Sequence, residues 1–278
     1  MKKKTPLVAL FACLLGVFCL VLAGCGSSNT GGTTTDAGYK LIKEGKLISV
    51  SDMECPPFSS YKDGTSEPEG FEIDLMAAVA ERMGLESEWL PKMDFDAIIP
   101  LIKQGGKADV GVSSFTITDD RKKEIDFTDS YIDSNQAIVM KQGSDKKGAS
   151  DTETIEKLNV KGVTASVQQG TTGEEWVKEN LPNAEVVAMI PSTAMLSVQS
   201  SSEGNDSLDA MVCDLPVATS LIAKSYSDLN VLESIATGDE FGIVVSKDNP
   251  ELTKALNKAL AELKADGTID ELMNKWLA

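Results

Sequence analysis

The sequence predicts an α/β protein of two lobes, each a sheet flanked by helices. Two observations carry this. Short apolar strand segments alternate with segments of helical period, the pattern of parallel sheets. The alternation also runs twice, in two series of similar size without a close residue-level repeat, and a polar, Gly-containing stretch from Lys141 to Asp151 divides them.

The first series opens with Lys46 to Ser51, which alternates as a strand. Phe71 to Met83 has helical spacing, with Phe71, Leu75, Met76, Val79, Ala80 and Met83 on one face and Gly84 placed to end the helix. Leu85 to Leu90 reads as a second strand. Asp94 is placed to cap a helix carrying Phe95, Ile98, Ile99 and Ile102, which stops near Gly105-Gly106. Ala108 to Val112 is the third strand, and Ala137 to Met140 is a further apolar segment. The second series continues with a strand over Gly162 to Val167, a helix over Thr172 to Asn180 and a strand over Val186 to Met189. Ser192-Thr193 caps a helix through Val198. Leu208 to Cys213 is a strand, Leu215 to Ala223 a helix and Phe241 to Ser246 a strand. Pro250 to Ala265 and Thr268 to Leu277 are amphipathic helices separated by Asp266-Gly267.

The N-terminus reads as an address. Met1-Lys2-Lys3-Lys4 is basic, and Leu7 to Leu22 is an apolar run of 16 residues. That is shorter than the ~20 residues a membrane span needs, and it fits a secretory signal. Leu22-Ala23-Gly24-Cys25 looks like a bacterial lipobox, in which Cys25 is lipidated and begins the mature chain. Gly26 to Gly38 is rich in Gly, Ser and Thr and reads as a flexible tether. The body is therefore expected outside the cytoplasmic membrane, held by a lipid anchor. No second apolar stretch of spanning length follows, which argues against a transporter or sensor kinase.

Composition narrows the chemistry. Without Lys2, Lys3 and Lys4 the 26 basic residues fall to 23 against 43 acidic ones, a net charge of −20. Such a chain repels nucleic acid. Histidine is absent, which removes the commonest general base and the Ser-His and Cys-His nucleophile pairs. Cys55 and Cys213 are the only cysteines in the body, and no metal-ligand spacing exists. Neither metal nor cofactor is expected.

The stretch from Ser113 through Ser114, Phe115, Thr116, Ile117 and Thr118 to Arg121 carries the functional reading. It leaves a short buried strand, so hydroxyls and unpaired backbone N–H groups collect at a strand end. Beside them a planar guanidinium can grip a carboxylate with two bonds. Taken alone, the plainer reading prevails: a strand, a polar turn and a surface Arg opening the basic run Arg121-Lys122-Lys123. Thr172 stands where a helix begins, which favours an anion or plain capping. Asp214 leaves the end of an apolar strand, where ligands of open α/β sheets bind, and is also placed to cap the next helix.

Together with Glu124-Ile125-Asp126-Phe127-Thr128-Asp129-Ser130-Tyr131, this stretch resembles the signature of the polar amino-acid binding proteins of ABC importers, family 3 of the solute-binding proteins. Members of that family bind lysine, arginine, ornithine or glutamine. Further markers are Pro56-Pro57-Phe58, Gly70-Phe71-Glu72-Ile73-Asp74-Leu75, Phe95-Asp96-Ala97-Ile98-Ile99-Pro100-Leu101, Gln169-Gly170-Thr171-Thr172, Leu208-Asp209-Ala210 and Lys264-Ala265-Asp266-Gly267-Thr268, with Lys275-Trp276 at the close. The resemblance spans about Lys46 to Trp276. It implies a type II periplasmic-binding-protein-like fold with a two-strand hinge near Asp133–Ala137 and Ile235–Glu240. The implied division is a signal peptide at 1–24, lipidated Cys25 and tether at 25–39, a first lobe of 40–134 plus 239–278, and a second lobe of 135–238.

The resemblance also implies roles. Arg121 pairs with the α-carboxylate, helped by backbone N–H groups of Thr116 and Thr172. Asp214 takes the α-ammonium, helped by the Ser114 carbonyl and the Thr116 hydroxyl. Asp52, Cys55, Phe58, Phe95 and Ser113 are the candidates for side-chain selection. Cys55 departs from the family pattern, where many relatives carry an aromatic that stacks opposite Phe95. It reads equally as a small buried residue or a ligand contact. A Cys55–Cys213 disulfide across the cleft would lock the lobes, which argues against one. The expected function is a monomeric, lipid-anchored receptor that captures a free amino acid, polar or basic, and delivers it to an ABC permease. The alternatives are a dehydratase-like enzyme on this fold, with Asp52 and Glu54 as its only acid–base candidates, or a sensory ligand-binding module.

Overall fold

The computed structural model describes residues 33–201 and 208–278. The signal segment, Cys25 and the start of the tether lie outside the described residues. Among those described, no helix is long and apolar enough to cross a membrane.

The last part of the expected tether is folded. Strand β1 (Thr33–Thr34) pairs antiparallel with β2 (Lys40–Leu41) around a turn, because Tyr39 and Leu41 are buried and draw the segment onto the body. Strand β3 (Lys46–Val50) follows, then a small antiparallel sheet of β4 (Glu54–Cys55), β5 (Ser59–Tyr61) and β6 (Pro68–Glu69). Helix α1 (Phe71–Arg82) starts against that sheet. Its first N–H groups, on Phe71 and Glu72, donate to the carbonyls of Pro57 and Phe58, both at 2.9 Å. Two sequence markers, Pro56-Pro57-Phe58 and Gly70-Phe71-Glu72, thus meet as one capping device. Gly70 is required there: at φ 135° a Cβ on it would lie 2.1 Å from the Phe58 carbonyl oxygen.

Strand β7 (Glu86–Trp89), α2 (Phe95–Gln104), β8 (Val110–Gly111), α3 (Asp119–Glu124) and β9 (Asp126–Phe127) complete the contiguous part of the first lobe. Asp94 heads α2, but its side chain makes no capping bond. The chain then enters β10 (Ile132–Lys141), followed by α4 (Asp151–Leu158), β11 (Thr164–Val167), α5 (Thr172–Asn180) and β12 (Glu185–Ala188). Helix α6 (Pro191–Ser200), β13 (Ala210–Asp214), α7 (Leu215–Ser225) and β14 (Leu229–Phe241) follow. Pro191 rather than Ser192 opens α6, since a proline suits the first helical position, where no N–H is needed. The chain closes with β15 (Val244–Val245), α8 (Pro250–Ala265) and α9 (Thr268–Trp276). Both Lys275 and Trp276 donate to Asp74 of α1 at 2.7 Å, which fastens the C-terminal helix onto the first lobe.

The first sheet has the order β7-β3-β8-β15-β9, and the second β12-β11-β13-β10-β14. The sheets are mixed rather than parallel. Strands β3, β7 and β8 run parallel, as do β11, β12 and β13, but β15 and β10 run antiparallel to both their neighbours. In the second sheet the antiparallel strand β10, with β14 beside it, links the lobes. They pair from Ile132↔Phe241 through Ser134↔Asp239 to Lys141↔Leu229, with a register shift between Ser134 and Gln136. A bulge of this kind bends a strand pair and concentrates its twist.

Candidate ligand-binding site

Cys55, Phe95, Ser113, Ser114, Thr116 and Arg121 of the first lobe face Thr172 and Asp214 of the second around one cavity of about 20 Å³. That is room for about one water. Polar bonds draw the walls together. The Arg121 guanidinium donates to the Gly170 carbonyl at 2.9 Å, the Thr116 and Thr172 hydroxyls lie 3.3 Å apart, and Gln168 Nε2 donates to Asp52 at 2.7 Å. Further out, Gln169 donates to Asp96 at 2.8 Å and Lys224 pairs with Asp63 at 2.7 Å.

Arg121 is aimed by its neighbours. The Thr118 hydroxyl caps α3 by accepting from the Arg121 N–H at 3.2 Å, and the guanidinium donates to the Thr116 carbonyl at 2.8 Å. Its Cζ lies 5.7 Å from the ring centroids of both Phe95 and Phe115, which stack on each other at 4.5 Å. Those faces attract a cation and fix its plane. Burial lowers the Arg121 pKa, while Glu175, Asp214 and Asp239 oppose that shift. An arginine starts so high that it stays charged.

Asp214 ends β13. It occupies the capping position of α7, yet its side chain makes no capping bond. It accepts instead from Gln136 Nε2 at 2.6 Å, and the same amide donates to Asp239 at 3.0 Å. Burial above all pushes the Asp214 pKa up to about 7; the Gln136 bond and Arg121 lower it, while Asp239 raises it further. Asp214 keeps some exposed surface into the cavity, which moderates the burial effect.

Ser114 is one of two non-glycine residues with positive φ among those described, at 51°. Its N–H donates to Glu72 Oε1 at 2.7 Å, and the Tyr131 hydroxyl donates to the same oxygen. Glu72 is fully buried, and burial pushes its pKa up to about 7. Strained backbone of this kind persists only where surrounding structure enforces it. Here the enforcement comes from the core beneath the cavity.

Asp52 follows β3 and is buried, accepting from Ser113 Oγ at 2.7 Å as well as from Gln168. Burial is the main reason its pKa is raised. Cys55 is buried too, with Sγ 3.7 Å from Asp52, so its two readings coincide: it is a small buried residue that also lines the cavity. Cys55 and Cys213 are free thiols. Phe58 is a correction. It is fully buried, edge-on to Phe71 at 6.1 Å and to Phe241 at 5.6 Å, and does not line the cavity. The turn after Cys55 points it under α1, where an aromatic ring buries more apolar area than it would in the cleft.

Helix α5 presents its N-terminus to the cavity. The Thr171 hydroxyl accepts from Glu174 N at 3.2 Å, and Glu174 accepts from Gly170 N at 2.7 Å. Capping therefore uses Thr171 and leaves the first-turn N–H groups of Thr172 and Gly173 without partners inside the helix. The sequence reading missed Gln168, Thr171, Gln136 and Glu72. Gln168 adjoins the Gln169-to-Thr172 marker, Thr171 lies within it, and Glu72 lies within the Gly70-to-Leu75 marker, so position along the chain was the available signal. Gln136 had none. Among the described residues, no group of three or more His, Cys, Asp or Glu side chains is arranged to hold a metal.

The arrangement sets one cation and one carboxylate on opposite walls of a closed space, beside helix N–H groups. It suits a small molecule carrying both an anion and a cation, because an unpaired charge there is costly.

Comparison with known proteins agrees with that chemistry. The chain is 32% identical over 276 residues to the arginine-binding extracellular protein ArtP of Bacillus subtilis, covering 99% of this chain and 98% of that one. It is 32% identical over 251 residues to the lysine/arginine/ornithine-binding periplasmic protein of Escherichia coli, covering 88% and 92%. To the ABC transporter glutamine-binding protein GlnH of Bacillus subtilis it is 29% identical over 286 residues, covering 100% and 98%. Among solved structures, an ancestral arginine-binding protein bound to arginine superposes with a TM-score of 0.75 at 36% identity, covering 84% of this chain and 99% of that one. An ancestral amino acid-binding protein that is a precursor of cyclohexadienyl dehydratase gives 0.74 at 36% identity, covering 84% and 96%. Residues 47–278 match the model of the bacterial extracellular solute-binding proteins, family 3, and the chain belongs to that family.

Proposed function

We propose that this protein is an extracytoplasmic receptor, lipid-anchored through Cys25, that binds a free L-amino acid between its lobes as a monomer and delivers it to an ABC importer. A polar or basic amino acid is the favoured ligand. One observation carries the reading: Arg121 and Asp214 reach the same closed cavity from opposite lobes, with the N-terminus of α5 between them. In this reading the ligand α-carboxylate replaces Gly170 as acceptor for Arg121 and takes the Thr172 N–H, while the α-ammonium faces Asp214 and the Ser114 carbonyl. Both ligand charges are then neutralised, and the lobes close by bending at the β10–β14 pair. The permease reads the closed form.

A binding role is also supported by what the acids are doing. Glu54 is paired with Lys92 at 2.5 Å, and Asp52 is held by Ser113 and Gln168. Both carboxylates are thus engaged by the protein's own groups. The test is calorimetry against the twenty common amino acids, ornithine, cystine and citrulline. Binding of at least one in the micromolar range or tighter is expected, which takes about −8 kcal/mol. Silence from all of them would remove the receptor reading. Labelled palmitate incorporated in cells, and lost in Cys25→Ser, tests the anchor.

A further inference from the structure

The pair Arg121 and Asp214, a clamp for the two charges of a zwitterion, accounts for the small cavity but not for the larger space beside it. A cavity of about 420 Å³ adjoins the clamp and shares Phe95 and Gln168 with it. Pockets of about 300–1,000 Å³ bury whole drug-sized ligands, so this is more room than one ordinary side chain fills.

The two walls differ in character. The first-lobe wall carries Asp52, Glu54, Asp94 and Asp96 against a single base, Lys92, which Glu54 already neutralises at 2.5 Å. The second-lobe wall carries no charge: it is Gln168, Gln169, Ala188, Met189 and Ile190. Ile190, at 41% exposure, is one of three large apolar side chains left open to solvent among the described residues. The 2.7 Å bond from Gln168 to Asp52 stands between chamber and clamp. A ligand N–H reaching out of the clamp can replace Gln168 as donor to Asp52 and open the passage.

The clamp fixes which part of a ligand enters. With the α-carboxylate on Arg121 and the α-ammonium on Asp214, only the side chain is free to pass. A main-chain dipeptide separates those two ends, whereas Arg121 and Asp214 line one small cavity together. The chamber wall then asks for a positive charge beyond an aliphatic stem.

We propose that the chamber is a second subsite, and that the ligand is an α-amino acid whose cationic side chain is longer than that of arginine, such as lysine acylated on its side-chain nitrogen by a second basic amino acid. This rests on the zwitterion clamp of the proposed function. The test is calorimetry of the purified protein with L-arginine, L-glutamine and Nε-(L-lysyl)-L-lysine, repeated with Ile190→Trp, which fills the chamber from its rim. The isopeptide is expected to bind about tenfold tighter than arginine or better, and Ile190→Trp to cut that preference about tenfold. Binding of arginine or glutamine with weaker binding of the isopeptide would overturn the proposal. So would an isopeptide preference that Ile190→Trp leaves intact, since the side chain would then lie elsewhere. Failure of all three ligands and of every common amino acid would instead strike the receptor reading beneath it.

Discussion

Lowering the pH should weaken amino-acid binding through one identifiable carboxyl group. Asp214 must be ionised to face an ammonium, yet in the unliganded protein burial holds its pKa up to about 7. Below that value a proton has to leave before the ligand can bind. With one such group the apparent dissociation constant rises by a factor of about 1 + 10^(7−pH), which is close to 1 at pH 8, about 10 at pH 6 and about 100 at pH 5. The loss from pH 8 to pH 5 is then about 3 kcal/mol, an upper figure because Asp214 keeps some exposed surface. The ligand zwitterion does not titrate in this range, and Arg121 stays charged. Calorimetry at pH 8, 7, 6 and 5 measures the affinity, and paired buffers of different ionisation enthalpy count the protons, with about one released per ligand at pH 6. Asp214→Asn should bind weakly at every pH and show no slope. A flat profile in the parent, or the same slope in Asp214→Asn, would refute the reasoning.

The same groups move the stability of the unliganded protein the other way. Glu72 and Asp214, both pushed up to about 7, bind protons more tightly folded than unfolded. Their contribution is full below the unfolded carboxylate range and is lost as pH rises through about 7, so the unliganded melting temperature should fall between pH 5 and pH 8. A rise over that window, or an unchanged slope in Glu72→Gln with Asp214→Asn, would contradict this. Arg121→Ala should abolish binding of every amino acid, whereas Asp52→Ala should reorder the preference among them; equal losses across all ligands in both variants would undo that division of labour. Gly70→Ala drives a Cβ to 2.1 Å from the Phe58 carbonyl at φ 135° and should cost more than about 3 kcal/mol in urea unfolding. A change under about 1 kcal/mol would show that the capping contact yields.

The regular core of both lobes was legible because each helix there buries an apolar face, as α8 does with Leu252, Leu256, Leu260 and Leu263. Helix α3 was not, since Asp119–Glu124 buries no residue and gives no period. The polar half of β10, Asp133-Ser134-Asn135-Gln136, was read only through the family's hinge. Its order comes from pairing with β14, not from an apolar face of its own. The clamp was legible for a chemical reason: charged and hydroxyl residues at strand ends and a helix start announce themselves. Gln136 and Gln168 do not, because an amide mid-strand or at a loop reads the same in a cleft as on a surface. Phe58 entered the candidates through the family resemblance, while the chain turns it into the core.

The sheet order of the first lobe has a bearing on how the chain comes to be folded at all. Strand β15 is an interior strand, wedged between β8 and β9, yet it is made of Val244–Val245, after the entire second lobe has been written. A ribosome or secretion channel releasing the chain from its N-terminus therefore delivers the second lobe as one uninterrupted piece before the first can close. Until then β9 has no neighbour in its sheet, and the apolar ring of Phe127 has no Val244 to lie beside. Pairings this distant in sequence form slowly, and unpaired strand edges are where chains meet one another. A chain cut short before Val244 should thus hold a folded second lobe and a sticky first one, whose sheet waits on Val244–Val245 to close.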